Sequence, residues 1–266
     1  MSVPAFDVAR FAELQRARGL RWGQSLTHYP EIGSTNDEAL KAARSGAPAG
    51  SVFVADHQYA GRGRSGKTWQ SKPGAGLLFS VLLRPETSAD RLASLTLAVG
   101  LGVRAALRAA TVGEFSVKWP NDVLGSGRKV AGVLCEGQLS GHSVEAVVIG
   151  VGINLSRQEL PPELESTTTS LADLVLAGHT VPERETLIVE ALAAIETRAT
   201  RYFAHGFTTL HDEFMQHDAL AGHRVAVSGA SEVRGVARGV DHVVQLLVED
   251  EGVVLALRSG TVRIAE

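Results

Sequence analysis

Residues Gly61–Thr68 read Gly-Arg-Gly-Arg-Ser-Gly-Lys-Thr, and Gln58–Gly76 holds five glycines and the cations Arg62, Arg64, Lys67 and Lys72 with no acid. Glycines let successive backbone N–H groups turn toward one point, and such a nest binds anions. The octapeptide fits the phosphate-loop pattern G-x-x-x-x-G-K-[ST] and also G-x-G-x-x-G, so context has to decide. The second pattern serves both dinucleotide-binding folds and kinase phosphate loops; the P-loop and dinucleotide readings need a strand running into the loop and a helix leaving it, whose N-terminus completes the phosphate site. Here His57-Gln58-Tyr59-Ala60 separate the apolar run Ser51–Asp56 from the loop, and Thr68–Pro73 is a poor helix. A P-loop enzyme also needs an acid ending an apolar strand. The lookalike, Leu246–Asp250, lies in a C-terminal β segment. A second glycine pattern, Gly100-x-Gly102-x-x-Ala105, falls inside a helix and reads as helix packing. What survives is anion binding by a self-repelling loop, expected to be mobile when empty and ordered around an anion. The alternative is a solvated basic loop or one that touches nucleic acid. Trp69 amid the glycines argues against simple solvation.

Four further segments carry polar groups at element ends. Ser34-Thr35-Asn36 follows a strand and opens a helix, with Thr35 and Glu38 spaced as a capping box. Lys118-Trp119-Pro120-Asn121-Asp122 ends a strand at a turn. Gly127–Leu134 (GRKVAGVL) puts Lys129 at a strand start, and Gly150-Val151-Gly152-Ile153-Asn154 ends an apolar strand. Each has a plain alternative: a helix cap, a turn, a solvated lysine. Lysine is scarce, 5 against 21 arginines, so a lysine inside a motif carries more information than usual.

The elements that would position these groups follow from periodicity. Helices are expected at Val3–Gly19, Ser34–Ser45, Arg91–Ala110, Ser170–Leu176, Arg184–His205 and Phe207–Gln216. Strands are expected at Leu26–Ile32, Ser51–Asp56, Leu77–Leu83, Val117–Trp119, Val130–Glu136 and Glu145–Asn154, the last continuously apolar and hence central. Leu155–Thr169 reads as a polar loop. From Gly222 onward short strand-like runs recur: Arg224–Val227, Val233–Val240, Val243–Val248, Val253–Leu257 and Val262–Ile264. That spacing predicts a small all-β barrel and a domain boundary near residue 218, giving units 1–218 and 219–266.

The 266 residues, 44% hydrophobic and 21% charged, fit one or two globular domains and exclude disorder and a disulfide scaffold. Cys135 is the one cysteine, so no internal disulfide and no cysteine-rich metal site can form. The net charge of −3 disfavours a general nucleic-acid binder. The N-terminus has no signal-peptide core. Arg104 interrupts the apolar stretch Leu92–Leu107, short of the ~18 continuous residues of a membrane span. A cytoplasmic protein with no membrane partner is expected.

Taken together and in order, these segments resemble the biotin–protein ligase family, with the lipoate ligases as relatives. The residues carrying the resemblance are STN at 34–36, GRGRSGKTW at 61–69, KWPND at 118–122, GRKVAGVL at 127–134 and GVGIN at 150–154. GRGRxG followed by KWPND points to biotin rather than lipoate. The resemblance implies an α+β fold: a mixed central sheet flanked by helices, of class II synthetase-like type, plus a small C-terminal SH3-like β-barrel. It implies that biotin is activated by ATP as biotinyl-5′-AMP and passed to a lysine of the biotin carboxyl carrier domain of acyl-CoA or pyruvate carboxylases. Arg62, Arg64 and Lys129 would act on the carboxylate and the α-phosphate. Ser34, Thr35, Asn36, Gln58, Gly61, Arg62, Gly63, Arg64, Lys129 and Gly132 would bind biotin. Lys67, Trp69, Asn121 and Asn154 would contact ATP or the adenylate. Mg²⁺ would arrive with ATP, without a metal site of the protein's own. A lipoate transferase would share the fold but need a longer apolar slot. Two departures stand out. Too few residues precede the Ser-Thr-Asn helix for the DNA-binding domain of bifunctional members, so specific DNA binding is not expected. And no glycine follows the run Gly235–Asp241, where the family's C-terminal module normally has one.

Overall fold

The computed structural model describes residues 4–111, 113–140, 143–175, 179–229 and 232–265. Among the described residues twelve strands form two sheets. The larger contains β1 (Leu26–Tyr29), β2 (Val52–Ala55), β3 (Gly76–Leu83), β4 (Phe115–Lys118), β5 (Asp122–Gly125), β6 (Arg128–Ser140) and β7 (Ser143–Asn154). Its order is β1-β2-β3-β7-β6-β5-β4. β1 and β2 run parallel and every other pairing is antiparallel. β3 is buried along its whole length and β7 from Ala146 to Asn154, as their apolar runs require of central strands.

The helices are α1 (Val8–Arg18), α2 (Thr35–Arg44), α3 (Leu92–Thr111), α4 (Pro162–Glu165), α5 (Leu171–Leu174), α6 (Arg184–His205) and α7 (His211–Met215). Side chains alternate across the sheet. Leu77, Phe79, Val81, Val151 and Ile153 point into the main core with α3 and α6. Leu82, Ala146 and Val148 face Ala39 and Ala43 of α2 on the other side. α3 packs on α6, and Gly102 makes this possible: a Cβ there would stand 2.8 Å from the Ile195 Cα. The glycine pattern in that helix is indeed packing. Ala89–Thr111 is long and apolar enough to cross a bilayer by composition, which the uninterrupted-run criterion missed; here it is the core helix, mostly buried.

The C-terminal sheet contains β8 (Arg224–Ser228), β9 (Val233–Val240), β10 (Leu246–Asp250), β11 (Val253–Leu257) and β12 (Thr261–Ile264) in the antiparallel order β11-β10-β9-β8-β12. The strip before it joins the large sheet: the Val117 N–H donates to His217 O at 2.8 Å and the Ala219 N–H to Val117 O at 3.0 Å. β10 starts at Leu246, not Val243, because Val244 takes φ 69 in the left-handed region. This is the hairpin in which the family's glycine is missing. A β-branched residue there costs on the order of 1–3 kcal/mol, and the Trp119 indole N–H holds the Val244 carbonyl at 3.0 Å.

Other boundaries shift for local reasons. α1 begins at Val8, where Asp7 accepts from the Arg10 N–H at 2.9 Å as N-cap; the expected residue 3 lies outside the described residues. β1 stops at Tyr29 before Pro30, which has no N–H to give a ladder, and Ile32 makes only a bridge to Gln58. The loop after β7 contains α4. α5 ends at Leu174, and the expected end, Leu176, lies outside the described residues.

Candidate active site

The face of the large sheet that carries α2 continues past that helix into a cleft of about 790 Å³. Two glycines make its floor. Gly132 of β6 and Gly152 of β7 stand directly opposite each other in register. The Trp69 indole lies over both: a Cβ on Gly152 would meet its Cζ2 at 2.6 Å, and one on Gly132 its Cζ3 at 2.9 Å. One register step on, Gly150 pairs with Ser80. A Cβ on Gly150 would come within 2.1 Å of the Asn36 Oδ1. The motif glycines are therefore seats for side chains from other motifs.

Around Asn36 the polar groups form one buried network. The Ser80 hydroxyl is shared, at 2.6 Å from the Asn36 Oδ1 and 2.8 Å from the Thr35 Oγ1. The Thr35 hydroxyl and backbone N–H both approach Gln58 Oε1, at 3.0 and 2.7 Å. This overturns the expected capping box: Ser34 is the N-cap and makes no side-chain cap bond, and the Thr35 hydroxyl goes to Gln58 and Ser80 rather than to its own helix. With Oε1 doubly used, the Gln58 Nε2 has no partner among the described residues. Asn36 Nδ2 donates to Glu136 Oε2 at 2.7 Å.

The loop crosses this floor as a small hairpin. Arg62 and Thr68 bridge antiparallel, the Gly63 N–H donates to Lys67 O at 2.7 Å and the Trp69 N–H to Gly61 O at 2.9 Å. Ser65 and Gly66 at its tip both have left-handed φ, 55 and 73. The self-repelling loop expected from its own composition is corrected by acids from elsewhere. Arg62 Nη2 lies 2.5 Å from Glu136 and 3.0 Å from Asp37, and Lys72 Nζ lies 2.7 Å from Glu159. Arg64 has no ion-pair partner among the described residues; burial lowers its pKa, opposed by the charge of Asp122.

Lys129 is fixed through its backbone, donating to Thr167 O and accepting from the Thr169 N–H, both at 2.8 Å. A register shift between Val123 and Leu124 lies beside it, the kind of bulge that re-aims a side chain. Its Nζ sits 2.6 Å from Asp122 Oδ1 and 5.4 Å from the Trp69 ring centroid. The Trp119–Pro120 bond in the neighbouring turn is cis. Asn121 Nδ2 donates to Val133 O and Asn154 Nδ2 to Thr169 O, each at 3.1 Å, so both amides brace the walls they line.

The cleft lining thus brings together Ser34, Thr35, Asn36, Gln58, Arg62, Gly63, Arg64, Lys67, Trp69, Asn121, Lys129, Gly132 and Asn154. Gly61 stands behind it, where a Cβ would strike Trp69 O at 2.7 Å. Sequence reasoning missed Ser80, Glu136, Asp37 and Lys118 as participants. Ser80 had a signal, a lone hydroxyl in the apolar strand LLFSVLL, and Glu136 likewise closes an apolar run. Cys135, behind the floor, is pushed up to about 12 by burial and is inert as a nucleophile.

Residues 30–154 match the Biotin/lipoate A/B protein ligase family. The fold is that of the biotin and lipoate ligase class. The biotin–[acetyl-CoA-carboxylase] ligase of Mycobacterium tuberculosis is 33% identical over 97% of this chain and 96% of its own length. The bifunctional ligase/repressor BirA of Bacillus spizizenii is 34% identical over 88% of this chain and 69% of its own. A biotin protein ligase from Aquifex aeolicus, solved with biotin and ATP, superposes with a TM-score of 0.78 at 29% identity, covering 91% of this chain and 100% of that one. The chain belongs to the biotin protein ligase family.

Proposed function

We propose that the protein joins biotin to ATP as biotinyl-5′-AMP and transfers the biotinyl group to a lysine of a carboxylase carrier domain. The observation that carries this reading is the placement of Arg62, Arg64, Lys67 and Lys129 around one glycine-floored cleft beside a neutral, hydrogen-bonding recess. In the first step a biotin carboxylate oxygen bonds to the α-phosphorus, the bond from that phosphorus to the β-bridging oxygen breaks, and pyrophosphate leaves with the electron pair. Positioned cations favour it by offsetting charge on nucleophile, centre and leaving group. In the second step the carrier lysine's neutral amine attacks the acyl carbon, AMP leaves, and the amine proton is lost to solvent.

Ser34, Thr35, Asn36 and the free Gln58 Nε2 suit the ureido ring, with Gly61, Gly63 and Gly132 giving close backbone approach. Arg62 and Arg64 take the carboxylate and α-phosphate, with Lys129 between them. Trp69 forms an apolar wall for the nucleotide, and Lys67, Asn121 and Asn154 lie on its side. Mg²⁺ would come in held largely by ATP's phosphates.

The finer points belong to the same reading: acyl-CoA and pyruvate carboxylases as acceptor sources, a cytoplasmic location, units divided near residue 218, and no sequence-specific DNA binding. A salt-resistant footprint at a defined site would contradict the last. The activity is tested by pyrophosphate release dependent on both biotin and ATP, with lipoate and DNA as controls. Release with lipoate in place of biotin, or with neither, would overturn it.

A further inference from the structure

A sheet edge exposes a row of unpaired backbone groups, and folded proteins guard it with charge, proline, a bulge or a cover. Among the described residues three of the four edges are guarded. The strip at 217–219 covers β4. β1 is four residues long, carries His28 and stops before Pro30. β12 carries Arg263 and borders the cleft, where Lys67 Nζ reaches Thr261 Oγ1 at 3.4 Å. β11 is the exception. It reads Val-Val-Leu-Ala-Leu, without charge, proline or bulge. Val253, Val254 and Leu255 are 60, 53 and 42% exposed, so both faces of the strand are bare. Its one strand partner is β10, in a hairpin closed by Glu251 and Gly252, whose φ of 47 and 82 make a two-residue primed turn. The pair flanking such a turn, Asp250 and Val253, exchanges both backbone bonds, and bonded and unbonded pairs alternate from there. Val253, Leu255 and Leu257 therefore bond to β10, while Val254 and Ala256 turn their N–H and C=O groups outward.

We propose that β11 pairs antiparallel with β11 of a second copy of this chain, joining the two C-terminal sheets into one. The strand is self-complementary in that arrangement. With a two-fold axis at Leu255, Val253 stands opposite Leu257 of the copy and Val254 opposite Ala256, so the whole strand is paired and the outward groups of Val254 and Ala256 are satisfied. The bare valines and leucines then cover one another. The ends match in charge as well. Arg258 follows the strand and Asp250 and Glu251 precede it, all three exposed and without an ion-pair partner among the described residues. Antiparallel pairing brings each Arg258 to the acidic turn of the other copy, whereas parallel pairing in register would set like charges together. Each chain has one such edge, so association stops at two. No residue of β11 lines the cleft, and the pairing holds whatever the cleft binds. A single strand pair makes a small interface, of the weakly associating class.

Sedimentation velocity on the full-length protein, from about 1 to about 200 µM, tests this. We expect a reversible monomer–dimer equilibrium with a Kd on the order of 10 µM, as a small interface gives. Val254→Lys places an ammonium in the pairing twice per dimer and should weaken it about tenfold or more. Arg258→Glu acts on the exposed ends and should weaken it about threefold. Adding Asp250→Lys and Glu251→Lys to Arg258→Glu reverses both ends and should restore the dimer. Arg258→Glu lies outside the strand, so it keeps the test intact where Val254→Lys disturbs the hairpin; far-ultraviolet spectra check the fold of each variant. A chain that stays monomeric up to the highest concentration would overturn the proposal, as would species heavier than a dimer. A dimer that neither Val254→Lys nor Arg258→Glu weakens would also overturn it, because its interface would lie on another face.

Discussion

The floor of the cleft and the loop above it solve the same problem in opposite ways. The floor is built from three central strands whose backbone ladders are complete, and its polar groups are largely satisfied by one another: Ser80 with Thr35 and Asn36, Gln58 with Thr35, Asn36 with Glu136. A ligand finds it already shaped. The loop carries the charge: Arg62 rests on Asp37 and Glu136 and Lys72 on Glu159, while Lys129 at the floor's edge rests on Asp122. Those acids have to give up the cations when biotin and ATP bring their own anions. Shape is thus set by folding and charge by exchange of partners, which lets one site be stable when empty and electropositive toward a ligand.

Removing the exchangeable charge should have the largest effect. Lys129→Ala deletes the ammonium nearest the floor, and loss of one such donor costs about 10²–10³ in rate. Pyrophosphate release should fall by that order while the far-ultraviolet spectrum stays native; near-normal release would remove Lys129 from the chemistry. Next comes the floor. Gly152→Val puts a Cβ within 2.6 Å of the Trp69 ring. The backbone ladder survives, so the indole has to move. We expect affinity for ATP to drop roughly 10–100-fold, the scale on which misplacing site groups acts, with little change in Tm. A variant that binds ATP normally would show that the glycine pair does not seat Trp69.

Arg64→Gly separates retention from chemistry. Arg64, like Lys67, has no acid partner among the described residues, and its guanidinium is the part-buried one of the two, which leaves it for the ligand. The variant should still form the adenylate but hold it less well, and an unrelated protein mixed with it, biotin and ATP should become labelled. Labelling no greater than with the unmutated protein, with carrier biotinylation intact, would return Arg64 to the solvent.

The smallest effect lies outside both regions. Asp218, behind β4, is raised by burial from 3.8 to about 6, opposed by the Leu220 N–H and by His223. A carboxyl whose folded pKa is raised binds more protons in the native state than in the unfolded one. Its stability contribution is therefore full below about pH 4 and lost as pH rises to about 6. Asp218→Asn keeps an acceptor for the Leu220 N–H and should gain up to about 3 kcal/mol at neutral pH, flatten that part of the pH–stability curve and leave adenylation unchanged. Unfolding curves at pH 4 and 7 decide this, and an unchanged difference between them would contradict it.

Much of this molecule is legible in its sequence, for a physical reason. The floor glycines, the loop and Lys129 sit in contiguous segments whose types are dictated locally, by close approach or by charge. Both sheets follow from apolar runs and turn residues, save β5 (Asp122–Gly125), four residues beside the Pro120–Asp122 turn that are too short to show an apolar run. What was not legible depends on approach between distant segments. Nothing near residue 62 announces Glu136 as its partner, and nothing in β12 announces that it borders the loop. Thr35 illustrates the limit: its spacing to Glu38 is that of a local cap, but Gln58 and Ser80 outcompete that bond. Val244 makes a left-handed turn without a glycine because Trp119 anchors its carbonyl from the other sheet.

The contrast between floor and loop is tested most directly by amide hydrogen exchange with and without biotin plus ATP. The account predicts slow exchange at Gly132 and Gly152 in both states, and protection of Gly61–Lys72 that rises markedly when the adenylate is bound. Equal protection of Gly61–Lys72 in the two states would contradict it.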